Sequence, residues 1–166
     1  MGVFVVDTNF FIEGHLRLFP PDIFTGYWSR ISQLAHEGKI ISIDKVGEEI
    51  FRNEDSISEW CQEFLPPHFF KDTSSVLGSY IQVVQWADSK SDHYKRTAIS
   101  EFSETGRADA WLVSYCHSDL NGRILVTNET SEHDRKSKIK IPEVCHPFGV
   151  TCITPVDMLR QLGERF

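Results

Sequence analysis

Four short runs of the chain are apolar almost without interruption: Val3–Val6, KIISI at 39–43, RILVT at 123–127 and VTCIT at 150–154. A strand with one face in water alternates polar and apolar residues. A run without alternation is buried on both faces, which is the mark of a parallel sheet covered by helices. The segments between the runs carry helical spacing instead. Pro20-Pro21 opens a series at Ile23, Phe24, Tyr27, Trp28, Ile31, Leu34 and Ala35 that Gly38 stops. A second series runs from Val46 through Ile50, Ile57, Trp60, Cys61 and Phe64 to Pro66-Pro67. Further helices are expected near 74–88, 92–102, from 105 through Ala108–Cys116, and over 155–162, with a polar turn at 87–93. The order β-α-β-α-α-α-α-β-β-α predicts an α/β fold with a mostly parallel central sheet flanked by helices.

At 166 residues, without repeats or low-complexity tracts, a single domain over 1–166 is expected. No apolar run nears the roughly 20 residues of a membrane span. No basic residue precedes the first apolar stretch as in an export signal, so a cytoplasmic protein without a membrane partner is expected. Cys61, Cys116, Cys145 and Cys152 are widely spaced and are expected to be reduced thiols. A zinc site from Cys145, His146, Cys152 and His133 matches no familiar spacing, so none is predicted. The formal net charge of −7 argues against a broad nucleic-acid-coating surface. It does not argue against a nuclease whose carboxylates gather cations, because bound ions invert the local field.

The placement of particular acids is more informative. Val3–Val6 runs directly into Asp7, and RILVT into Asn128 and Glu129. In open parallel sheets ligands gather outside the carboxyl ends of strands, so both acids are expected on one rim. In VGEEIF the buried stripe is set by Val46, Ile50 and Ile57. Glu49 borders that stripe, while Glu48 lies about 200° from Ile50 and is expected in water. In GRADAWLVSYC, Asp109 shares a face with Leu112, Val113 and Cys116, where a charge must be paired or bind a cation. Singly, each acid has an ordinary explanation: a strand-end turn, a surface acid, a favourable helix end, a charged loop. Convergence of four acids on one edge requires protonation or a bridging ion, and hard divalent cations such as Mg²⁺ or Mn²⁺ suit oxygen donors.

Asp7-Thr8-Asn9 after a hydrophobic strand, V-x-x-E-I at 46–50, A-D-A-W-L-V at 108–113 and L-V-T-N-E at 125–129 together resemble the PIN domain, in order and spacing, across almost the whole chain. The resemblance implies a Rossmann-like three-layer fold and a Mg²⁺- or Mn²⁺-dependent endoribonuclease. It further implies the toxin of a bacterial or archaeal toxin–antitoxin pair, with an antitoxin partner and a homodimer. On this resemblance Asp7 and Asp109 are direct metal ligands, and Glu49 completes the site or holds a metal-bound water. Asn9 fixes Asp7 or a coordinated water, and Thr127 and Asn128 support the corner. Glu129 stands where the family commonly has Asp, and its extra methylene pushes the carboxylate outward. Cleavage to 5′-phosphate and 3′-hydroxyl ends is implied, with no nucleophilic side chain.

The basic loop DRKSKIK at 134–140 is expected to contact phosphate, solvent or an antitoxin, and His15, Arg17 and Arg107 are not assigned to catalysis. A haloacid-dehalogenase-type phosphatase needs a second Asp two residues after the first, where this chain has Asn9. A catalytically weak or inactive PIN-like module that binds RNA or protein is the remaining alternative.

Overall fold

The computed structural model describes residues 2–166. The elements follow in the order β1 (Val3–Val6), α1 (Thr8–Glu13), α2 (Thr25–His36), β2 (Ile40–Ile43), α3 (Asp44–Phe51), α4 (Ser56–Phe64) and β3 (Phe70–Lys71). Then come α5 (Leu77–Asp88), α6 (Arg96–Phe102), α7 (Ala108–His117), β4 (Arg123–Val126), α8 (Ile141–Phe148), β5 (Cys152–Ile153) and α9 (Pro155–Leu162). A π-helical stretch, Gly14–Leu18, extends α1, and a single 3-10 turn, Ser74–Val76, leads into α5.

All strands pair in parallel in the order β3-β2-β1-β4-β5, with helices flanking the sheet as a three-layer, Rossmann-like α/β fold. The uninterrupted apolar runs explain the arrangement: Phe4, Val5, Val6, Ile40, Ile43, Leu125 and Val126 are buried in one continuous core. Because β1 turns to β2 on one side and β4 on the other, the strand order reverses at β1. That reversal opens a crevice at the carboxyl edge of an α/β sheet. Register sets the rest. Val6 is level with Val126, so Asp7 and Thr127, the next residues of the two strands, lie side by side on the rim.

Helix α7 is buried along almost its whole length, from Ala108 through Cys116, with only Asp109 half-exposed in its first turn. The expected single apolar face is therefore an all-round apolar helix, packed between the sheet and its neighbours α5 and α8.

Several expectations are corrected. The helix expected from 46 to 64 is two, because Asp55 and Ser58 form a reciprocal capping box that restarts the chain as α4. The helix expected from 92 begins only at Arg96. The strand expected over 150–154 is reduced to Cys152–Ile153. Helix α1 is too short to show a period and is nucleated by Asp7, whose side chain accepts a hydrogen bond from the Phe10 amide. Strand β3 has only two residues. Helix α8 is hidden by its prolines: Pro142 sits in the first turn, where a missing N–H is harmless, and Pro147 in the last, closed by left-handed Gly149. Among the described residues no helix is long and apolar enough to cross a membrane.

Candidate active site

A cavity of about 190 Å³ opens at the strand-order reversal, lined by Asp7, Thr8, Asn9, Ile12, Glu49, Arg107, Asp109, Glu129 and Lys138. The four acids singled out in the sequence thus arrive from the β1 edge, α3, the start of α7 and the β4 edge. Glu49 turns toward the cavity while Glu48 is exposed and approaches Lys45 at 3.6 Å, as the helical period predicts.

Each carboxylate is held differently. Asp7, only 3% exposed, accepts from the Phe10 amide at 2.8 Å through Oδ1 and from the Thr127 hydroxyl at 2.6 Å through Oδ2. Thr127 in turn accepts from the Glu129 amide at 3.0 Å, so one buried hydroxyl ties the two strand ends together. Glu49 accepts from the Thr8 hydroxyl at 2.6 Å and the Ala108 amide at 2.7 Å, which fixes α3 against the start of α7. Glu129 accepts from the Ile141 amide at 2.8 Å and lies 3.3 Å from Lys138 Nζ. Asp109 has no hydrogen-bond partner and no ion pair among the described residues.

The supporting residues are redistributed. Thr127, not Asn9, fixes Asp7; Asn9 lines the cavity without bonding to Asp7. Asn128 is half-exposed and outside the cavity lining. The longer side chain of Glu129 reaches across to the N-terminus of α8 and to Lys138, which satisfies a free helix amide. Arg107, unassigned from sequence, and Lys138, a member of the basic loop at 134–140, face the acids from the rim, although Arg107 is also drawn to Glu101 at 3.0 Å and Glu104 at 3.3 Å. Both lie outside regular elements, where no period could have flagged them. His15 instead packs against Trp28 in the aromatic core, the ring centres 3.9 Å apart and the planes tilted by 35°, and exposed Arg17 pairs with Glu13.

The electrostatics follow from this geometry. Burial pushes the Asp7 carboxyl up to about 7, partly opposed by the Thr127 and Phe10 hydrogen bonds and reinforced by the charges of Asp109 and Glu129. Burial likewise raises Asp109 to about 7, with the charges of Glu129 and Glu49 adding and those of Lys138 and Arg107 opposing. Near neutral pH two acids of the cavity therefore retain substantial proton occupancy.

The donors suit a hard divalent cation in kind: every one is a carboxylate oxygen, and a bound ion would offset both the burial and the repulsion that raise Asp7 and Asp109. Their positions are not yet those of a closed coordination shell, since among the described residues no three acidic, histidine or cysteine groups converge to hold a metal.

No curated protein and no solved structure matches the chain. One family model, Domain of unknown function (DUF4411), matches residues 4–166, and the chain belongs to that family.

Proposed function

We propose that this protein is a Mg²⁺- or Mn²⁺-dependent ribonuclease of PIN-like type. The observation that carries the reading is that Asp7, Glu49 and Asp109, from three distant parts of the chain, line one cavity at the sheet's reversal point, and none of them forms an ion pair among the described residues. A charge cluster without counter-ions destabilises the fold it belongs to, and such a cluster in a cleft marks a candidate functional site.

In this reading the cation is held by Asp7 and Asp109, with Glu49 or Glu129 completing the set. When bound, it supplies Lewis-acid activation of water and charge stabilisation at the scissile phosphate. The protein's own groups do the positioning. Thr127 and the Phe10 amide orient Asp7, and Thr8 and the Ala108 amide orient Glu49. Lys138 and Arg107 offer cationic donors to phosphate oxygens at the rim. No nucleophilic side chain is required. The finer assignment, a cytoplasmic toxin with a cognate antitoxin and a homodimeric state, belongs to the same proposal. It is supported by the motif resemblance and by Leu16, Leu18, Ile23 and Phe24, which expose apolar surface on the segment between α1 and α2.

The test is cleavage of structured RNA with Mn²⁺ by wild type, Asp7→Asn and Asp109→Asn. Both variants are expected to lose upward of about 100-fold, more than loss of an outer-shell partner. Equal cleavage by all three rejects the assignment. A non-catalytic RNA- or protein-binding module is the second reading, favoured by one observation: Glu129 is already engaged by Lys138 and the Ile141 amide. Calorimetry with Mn²⁺ separates the two, because a module gives no heat, and Glu129→Asp restores none.

A further inference from the structure

A second cavity, about 670 Å³, is lined by the end of α5, the turn after it, the loop that follows Glu129 and α8. Its size is that of small-molecule sites, roughly 300–1,000 Å³. Its apolar lining includes Trp86 and Pro142. Lys90 Nζ stands 5.8 Å from the centre of the Trp86 ring. Three imidazoles, His93, His133 and His146, enter from three separate segments. The acidic members are Asp92 and Glu143.

Glu143 is committed to building the wall. It accepts from the Tyr94 hydroxyl at 2.6 Å, the Glu132 amide at 2.8 Å and Ser131 Oγ at 3.4 Å. Glu129 and Glu143 thus grip the same loop from its two sides, one through the first amide of α8 and the other from the helix's first turn. Glu129 lines the acidic cavity, and Ser131 and His133 line the larger one. Two residues of extended chain span at most about 7 Å, so the linings of the two cavities come that close at this loop.

An indole face beside an ammonium and several imidazoles suits a flat π-system carrying adjacent negative charge. Bases stack on aromatic side chains, and cations and ring N–H groups take the phosphate. We propose that this cavity is a base-binding subsite for single-stranded RNA, holding one unpaired nucleotide next to the phosphodiester that occupies the acidic cavity. The assignment rests on the ribonuclease reading for its placement beside the cut.

The test is fluorescence anisotropy of a labelled single-stranded RNA of about eight nucleotides, a length typical of such sites. It binds the full chain in the Asp109→Asn background, where cleavage is suppressed. Trp86→Leu is expected to weaken binding about tenfold, the loss of one base–aromatic stack, while Trp86→Phe retains most of it. Lys90→Ala also weakens binding and leaves the Trp86–Phe148 contact untouched, so it stands in if Trp86→Leu fails to fold. In the cleaving protein, Trp86→Leu is expected to raise KM for single-stranded RNA with kcat retained. If wild type proves unable to cut but Trp86-dependent binding persists, the subsite stands and the ribonuclease reading fails. If wild type cuts and neither Trp86→Leu nor Lys90→Ala changes affinity or KM, the subsite is overturned and the cavity is left to a peptide or small molecule.

Discussion

Two groups of carboxylates in this molecule have opposite fates. At the junction of α2 and the C-terminal segment, Arg30 donates to both oxygens of Glu164 at 2.6 and 2.8 Å and reaches Glu37 at 3.0 Å, which Lys39 also approaches at 2.8 Å. Hydrogen bonds from Arg30 hold Glu164 below its usual carboxylate range, and those from Lys39 and Arg30 do the same for Glu37. In the cavity at the β1 edge, burial and mutual repulsion hold Asp7 and Asp109 well above that range. The chain is able to pair its acids and does so where they only tie segments together. Where it leaves them crowded, the fold loses stability, and the cation proposed above is what would offset that loss.

The contrast can be broken or sharpened in four ways, beginning with the largest effect. Saturating Mn²⁺ is expected to raise Tm at pH 8 by several degrees, about 2.7 kcal/mol at one hundred times Kd. The gain shrinks at pH 5, where both raised carboxyls hold protons that the ion must displace. A Tm that ignores Mn²⁺ at both pH values removes the cation from the account.

Thr127→Val comes next. It strips Asp7 Oδ2 of its buried donor and is expected to cost about 1–3 kcal/mol in denaturant unfolding, with the pKa of Asp7 rising further. Serine at this position restores most of the loss. An unchanged midpoint would show that the hydroxyl does not hold the rim together.

Asp109→Asn should stabilise the metal-free protein. The folded carboxyl titrates near 7 and the unfolded one near 3.8, so the folded state binds more protons and stability falls as pH rises between those values. The variant removes that fall. Its Tm is expected to exceed wild type by about 2–4 °C for each kcal/mol recovered at pH 8, and to match it below pH about 4. A variant less stable than wild type at pH 8 would falsify the claim that Asp109 is an unpaired liability. Glu164→Gln has the smallest effect and the opposite sign: a loss of at most about 1 kcal/mol at neutral pH that fades with added salt.

The legibility of the fold and of the site differed for physical reasons. Strands β1, β2, β4 and, at greater than its true length, β5 are visible because burial on both faces leaves an uninterrupted apolar run, whereas two-residue β3 is too short to carry a pattern. Glu49 could be told from Glu48 because helical geometry is fixed within a turn. The restart at Asp55 was written in its capping pair with Ser58 and was overridden by a period that continues across the break. Thr127 was named only as a minor support, yet its hydroxyl is the link between Asp7 and Glu129, a fact that depends on the register of β1 against β4.

By itself, then, the sequence determined the parallel sheet, the burial of its strands and the acids that end or flank them, since each depends on neighbours within a few positions. Only the tertiary structure decided that Lys138 and Arg107 would face those acids, that Glu129 would turn to the first amide of α8, and that one loop would contribute to the lining of two cavities. Loops carry no period. Their course is set by whichever polar groups the packed elements leave unsatisfied, and those groups become defined only once strands and helices have met.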